Sequence, residues 1–309
     1  MQQALNLQYR RLRLILGDQL NLEHSWFNKP DASTLIVVAE LKQEASYVRH
    51  HVQKVCAFFA AMEQFAQALQ QLGHHVLYQT LDDTSEYDSL DTFITALCAR
   101  FDVECFDYMQ PDEYRVSKQL QDLELPSAVQ KQSVDAEHFL LPLTELDQHF
   151  TTGKSARMET FYRNMRRRLN LLMDGDEPEG GRWNYDQENR KKLSPAAVTE
   201  LPKPLLFSND VSGILQRLRR HQVACIGREQ NVLPWPVNRE QADALLQFFC
   251  KVCLPNFGTY QDAMTANSES DWSLYHSRLS FALNTKILHP LSVVNAAIAA
   301  YRNNAEVNL

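Results

Sequence analysis

A glycine followed by polar residues directly after a short apolar run lets a backbone approach a flat ligand closely. Gly17-Asp18-Gln19-Leu20 closes the run Arg11-Leu12-Arg13-Leu14-Ile15-Leu16. Glycine leaves room for a ring, and the carboxyl of Asp18 and the amide of Gln19 suit its polar edge. Glu40 ends a second apolar run, Thr34 to Ala39. If both runs are parallel strands, Glu40 falls on the same sheet edge, where open α/β sheets place their ligands. The same residues also read as tight turns with solvated side chains. The chain holds neither G-x-G-x-x-G nor G-x-x-x-x-G-K-[S/T], so an ordinary dinucleotide or P-loop site has no support.

Two further clusters carry chemistry. In Tyr47-Val48-Arg49-His50-His51-Val52-Gln53-Lys54 the histidines are adjacent, so they face different ways and make no i, i+4 metal pair. Capping a helix, or lining a pocket beyond the second strand, is the better use for them. In Tyr275-His276-Ser277-Arg278-Leu279-Ser280, two hydroxyls and a guanidinium fall within four residues, with Phe257 to Asp262 upstream. Such a set suits a pyrophosphate, although serine and arginine are also common on helix surfaces. Cys250 and Cys253 form a C-x-x-C among Phe248, Phe249, Val252 and Leu254 with no second cysteine pair. Thiols acting as small hydrophobes, with no metal, is the expectation there.

The elements that position these residues follow from periodicity. Residues 11–16, 34–39, 75–78, 105–108 and 129–134 read as strands, separated by helical patterns at 46–72, 88–100 and 112–123. Near-continuous apolar strands alternating with helices predict a doubly wound, mostly parallel five-stranded α/β sheet. After about residue 150 the strand pattern stops. A basic helix is expected over 155–173, with Arg157, Arg163, Arg166, Arg167 and Arg168, followed by a turn-rich stretch to Pro236 broken by a short helix at 212–222. Helical patterns resume at 238–254, 272–283 and 290–302, and Asn238 with Gln241 resembles a capping box.

Composition bounds the function. The chain of 309 residues is 44% hydrophobic and 22% charged, enough for about two domains with real cores. Residues 1–150 carry a net charge of −11 and residues 151–309 a net charge of +4, within a total of −7. The first half is a poor nucleic-acid surface, while the second suits phosphates. No apolar run reaches the ~20 residues of a membrane span and the first residues lack a signal-peptide pattern, so the cytoplasm and six reduced cysteines are expected.

Several runs resemble the deoxyribodipyrimidine photolyase-related family, which includes bacterial (6-4) photolyases and cryptochromes carrying an iron–sulfur cluster. They are Gly17 to Leu20, Glu44-Ala45-Ser46-Tyr47-Val48-Arg49-His50-His51, Gln110-Pro111-Asp112-Glu113-Tyr114-Arg115-Val116, and Phe161 to Arg168. The most specific part is Met173-Asp174-Gly175-Asp176 with Gly180-Gly181-Arg182-Trp183-Asn184-Tyr185-Asp186. The resemblance implies a Rossmann-like antenna domain over 1–150, an interdomain connector over 151–237, and the start of a helical FAD-binding domain over 238–309. It implies a 6,7-dimethyl-8-ribityllumazine-type antenna chromophore held by Gly17, Asp18, Gln19, Leu20, Glu40, Tyr47 and His51. Tyr260, Ser277, Arg278, Leu279 and Ser280 resemble the phosphate side of the FAD site.

The implied activity is that of a DNA-repair lyase: light-driven, flavin-dependent reversal of pyrimidine dimers in DNA held by the basic second half. The alternative is a blue-light sensor, or a chromophore-binding module without repair. Two departures stand out. Phe281 occupies a place where proline commonly follows the R-L-S turn. Family members also continue into helices that carry the rest of the flavin pocket, the catalytic aromatics and the cluster cysteines. A truncated form is therefore expected, with weak or no FAD binding, no iron–sulfur cluster, no assignable catalytic residue, and exposed helix faces that favour dimerisation.

Overall fold

The computed structural model describes residues 8–266 and 268–309. Five strands, β1 (Arg11–Ile15), β2 (Thr34–Ala39), β3 (His75–Gln79), β4 (Cys105–Met109) and β5 (Gln130–Val134), pair in the order β3-β2-β1-β4-β5. Every pairing is parallel. Leu12 lies between Leu35 and Phe106 and Leu14 between Val37 and Tyr108, so the central strands are apolar on both sides of each ladder. The chain leaves β1 toward β2 and β3, then returns to β4 on the other side. The switch point of the sheet therefore falls between the ends of β1 and β4.

Helices cover both faces, since β2 is buried along both faces and β1 at Leu12, Leu14 and Ile15. Helices α1 (Lys42–Ser46), α2 (Val52–Gln71) and α3 (Leu81–Thr84) precede α4 (Leu90–Arg100) and α5 (Tyr114–Asp122). Phe93, Ile94, Leu97 and Leu120 of α4 and α5 pack with Leu12, Leu14, Leu35 and Phe106. On α2, Phe59, Met62, Phe65 and Leu69 form the long buried stripe that covers the other face. Edge strand β5 is mostly exposed and polar. Its Lys131 donates to the carbonyls of Leu120, Gln121 and Leu123, a cationic cap on the last turn of α5.

Three expected helices are shorter than their patterns; the one expected over 155–173 spans only Met158–Leu169, stopped by Asn170 at φ 50°. The helical pattern at 46–72 breaks after Ser46, because the His51 imidazole caps α2 by accepting from the Gln53 N–H. The backbone there also pairs with a distant strand-like segment: Val52 N–H donates to Ile226 and Ile226 N–H to His50, each at 2.9 Å. The pattern at 272–283 forms a helix only from Ser280 onward, since Leu274 and Arg278 hold positive φ of 45° and 56°. Positive φ for side-chain-bearing residues stops a right-handed helix, and tertiary contacts impose it here.

Two units emerge. Of the described residues, the first comprises 8–138, 206–242 and 281–288; the second comprises 139–205, 243–266, 268–280 and 289–309. Residues 151–205 fall in the second unit and residues 206–237 in the first. Helices α6 (Leu146–His149), α7 (Met158–Leu169) and α8 (Pro195–Thr199) belong to the second unit, as does the hairpin of β6 (Met173–Asp174) and β7 (Glu177–Pro178). Gly175 turns that hairpin at φ 59°, and Gly180 follows at φ 75° with Tyr185 and Leu309 where a β-carbon would stand. Gly181 also holds a positive φ, 71°, so all three glycines of the Met173–Asp186 motif sit where a side chain would be strained.

The first unit takes β8 (Asn209–Asp210), α9 (Ser212–Arg220) and β9 (Val232–Leu233). Helix α10 (Arg239–Phe248) starts with the Asn238 side chain accepting from Gln241 N–H at 2.9 Å. The Gln241 carbonyl accepts from Val237 and its amide donates to Asn209, so only half of the expected capping box forms. A π-helical turn over Phe249–Cys253 leads into α11 (Leu254–Tyr260), and α12 (Ser280–Asn284) and α13 (Pro290–Asn303) complete the order. Among the described residues after 238, every regular element is helical, as the periodicity predicts. Among the described residues, no helix is long and apolar enough to cross a membrane.

Candidate functional site

A cavity of about 240 Å³ opens at the carboxyl ends of β1 and β2, beside the switch point. Its floor is Leu14, Ile15, Leu16 and Gly17 from β1 and its turn, with Ala39 and Leu41 from the end of β2. Phe58, Phe59 and Met62 on α2 form one wall, and Leu90, Pro111 and Val116 another. Glycine relieves crowding here. A β-carbon would stand 3.0 Å from the Met62 sulfur and 3.2 Å from Phe58, filling the floor. An apolar cavity with a polar mouth is the usual form of a small-molecule site.

The mouth is polar, and its charges are largely matched. Arg115 forks onto Glu44 at 2.6 and 3.1 Å and also pairs with Glu113 at 3.0 Å. The same guanidinium lies 4.4 Å over the Tyr47 ring, which stands edge-on to His50. Lys54 approaches His50 Nδ1 at 3.4 Å and lies over the Phe58 face at 5.8 Å. Burial, then the Lys54 ammonium, lowers the His50 pKa, so this imidazole is neutral at pH 7. Burial pushes the Asp18 carboxyl up, against the pull of Lys286.

Of the seven residues expected at this pocket, Gly17, Asp18 and Tyr47 line it and four do not. Gln19 is buried beneath the turn, where its amide donates to the carbonyls of Met109 and Gln110 and accepts from Leu16 N–H. Leu20 faces a separate hollow beside Phe65 and Val237. His51 caps α2, and its neighbour His50 lines the cavity instead.

Glu40 is 0% exposed and stands outside the pocket. Arg217 of α9 holds it with two bonds of 2.7 and 3.1 Å, and Tyr78 Oη and Leu81 N–H donate to it at 2.7 and 2.9 Å. Both carboxylate oxygens are thereby occupied. Burial and the adjacent Glu40 charge drive the Tyr78 pKa upward, so its phenol stays a donor.

In the second unit, the Ser277–Ser280 turn follows Tyr275, whose ring stacks on Tyr260 at 5.7 Å and 19°. Arg278, at positive φ, donates from Nη1 to the Leu205 carbonyl at 3.0 Å and lies 5.4 Å over the Trp272 ring. Among the described residues, its buried Nε and Nη2 have no hydrogen-bond partner. Orphaned guanidinium nitrogens of this kind suit an anion. Ser280 is exposed, Leu279 is buried, and Ser277 Oγ accepts weakly from Leu279 N–H at 3.4 Å. Beside Arg278, Cys253 is buried and its thiol is pushed up to about 11 by burial; Cys250 is half-buried. No group of three or more metal-binding side chains occurs among the described residues.

Residues 13–233 match the model of the deoxyribodipyrimidine photo-lyase-related protein family. The chain belongs to that family. It is 34% identical over 294 residues to a (6-4) photolyase of Agrobacterium fabrum, covering 94% of this chain and 57% of the relative. An uncharacterized protein of Acanthamoeba polyphaga mimivirus is 24% identical over 174 residues, 53% of this chain and 85% of that protein. In fold, the chain resembles a crystal structure of a bacterial class III photolyase from Agrobacterium tumefaciens, with a TM-score of 0.54 at 12% identity. That superposition covers 97% of this chain and 55% of the other. The chain thus spans a little over half the length of the photolyases it matches.

For this photolyase-related chain, the sequence reading missed the α2 wall and the mouth cations. Phe58 and Met62 stand one turn apart, a spacing that core residues share with ligand-facing ones, so periodicity alone does not separate them. The missed partner of Glu40, Arg217, lies 177 positions away. Its only sequence signal is a cluster of arginines on a short amphipathic helix.

Proposed function

We propose that this chain carries the chromophore-binding part of a light-driven DNA-repair flavoprotein. Its first unit serves as an antenna domain, and its second opens a helical flavin-binding domain. The supporting observation is the cavity at the strand ends, whose apolar walls and glycine floor fit a flat heterocycle of the lumazine type. Arg278, with two buried nitrogens lacking partners among the described residues, would hold the flavin phosphates together with Ser277, Ser280 and Tyr260. Reduced flavin held there would supply an electron to the pyrimidine dimer and regain it once the two bases separate, leaving no net oxidation or reduction. The protein's own groups bind and orient it. Damaged DNA would meet the basic α7 region, where Arg163, Arg166 and Arg167 lie 4.6 to 5.4 Å from the half-buried Trp183 ring.

The test titrates the chain with 6,7-dimethyl-8-ribityllumazine and follows its fluorescence. Wild-type protein binds, and Gly17→Leu, which fills the floor, loses at least tenfold in affinity, about 1.4 kcal/mol. Equal binding by the variant would remove the pocket assignment. Illumination of a lesion-bearing oligonucleotide with added reduced FAD then separates repair from light sensing. Restored bases support repair, and chromophore binding without restored bases supports the sensor.

A further inference from the structure

Lys286 is 1% exposed, yet it carries an ammonium group. Its Nζ lies 2.6 Å from Asp112 Oδ2, 2.8 Å from the Asp18 carbonyl and 4.0 Å from the Asp18 carboxylate. Asp18 belongs to the turn that leaves β1, and Asp112 to the segment that leaves β4. Those two connections diverge at the switch point, and both line the cavity: Gly17 and Asp18 on one side, Pro111 and Glu113 on the other. The β1–β4 ladder ends at Leu14↔Tyr108, so no sheet hydrogen bond fixes the spacing of the two loops beyond that pair.

The segment that brings Lys286 also seats itself on this edge. Leu20 N–H donates to the Thr285 carbonyl at 2.8 Å, and Phe281 stands edge-on to the pocket wall residue Phe58 at 5.5 Å. Phe281 is the residue that replaces the proline of the R-L-S turn. Lys286 itself takes φ of 63°, a conformation that costs a side-chain-bearing residue energy and persists only where contacts impose it.

We propose that Lys286 is a positioning residue for the chromophore pocket, cross-bracing the two loops so that the Asp18 carboxyl is held toward the bound ring. This rests on the reading of the cavity as a chromophore site. A buried ammonium with two oxygens at hydrogen-bond distance is rigid, and a rigid loop binds without a further ordering cost. Gln19 supplies a second brace through the carbonyls of Met109 and Gln110, so removing Lys286 loosens the pocket rather than collapsing the sheet.

The experiment is a double-mutant cycle on the full chain with Lys286→Met, Asp18→Asn and the pair, read by lumazine affinity and by urea unfolding of the ligand-free protein. Lys286→Met is expected to weaken affinity about tenfold. In the Asp18→Asn background the same change is expected to cost little further affinity, while its effect on unfolding persists. Lys286→Arg, which keeps a cation, recovers part of the affinity. Additive affinity losses in the cycle, or wild-type affinity in Lys286→Met, overturn the positioning role. If Gly17→Leu binds lumazine as wild type does, the pocket reading falls first and this inference with it.

Discussion

Glu40 shows how a residue at a ligand-binding edge can be wholly committed to structure. Its carboxylate has four donors, Arg217 twice with Tyr78 and Leu81, and its own carbonyl accepts from Thr84 at 2.6 Å. Removing the Arg217 guanidinium leaves a buried charge without its counter-ion, which typically costs 3–5 kcal/mol. Arg217→Met is therefore expected to lower unfolding stability by about 3 kcal/mol, measured by urea titration. Replacing both Glu40 and Arg217 with Gln and Met should restore part of that loss. A single variant as stable as wild type would show that the pair is dispensable.

At the scale of elements, the turn before β2 is held by one carboxylate. Asp31 accepts from Ser33 N–H at 2.9 Å and from the hydroxyls of Ser33 and Thr34 at 2.8 Å. These bonds, the Ser33 backbone first, lower the Asp31 pKa from 3.8 to about 2. The folded state thus binds this proton more weakly than the unfolded chain. The stabilisation is complete above the ordinary value and drains away as pH falls toward 2. Asp31→Asn should be less stable than wild type near neutral pH, with the gap narrowing between pH 3.8 and about 2. A gap independent of pH in chemical denaturation across that window would contradict the role. The helices show a related point. α2 starts at Val52 because His51 caps it and Ile226 pairs with the backbone beside it, so its boundary is set by a segment remote in sequence.

For the whole molecule, the consequence is that the α/β unit is not made by a continuous stretch of chain. Residues 206–242 bring Ile214, Leu215 and Leu218 into buried positions and supply Arg217 to Glu40. A fragment of residues 1–150 keeps all five strands but loses this layer and leaves Glu40 without its cation. It should unfold at lower urea than the α/β unit in the full chain and bind a hydrophobic dye. A fragment with an equal midpoint and no dye binding would show that the returning segment adds nothing to stability.

The alternation of apolar runs and helical patterns determined the five parallel strands, because a strand buried on both faces and a half-buried helix have different hydrophobic periods. Gly17 and Asp18 were legible for the same reason, since the turn after the first strand must lie at the ligand edge of such a sheet. Tyr47 came with the family resemblance, while the α2 wall and Lys286 came from neither source. Phe58 and Met62 have the periodicity of core residues, and Lys286 sits 268 positions from Asp18. Whether Glu40 meets a ligand or an arginine was decided by tertiary structure alone. A sequence states that a carboxylate stands at the end of a strand, but its partner depends on which distant helix folds back over it. The physical reason is that a buried charge takes whatever counter-charge the packing delivers, and packing is a property of the folded chain.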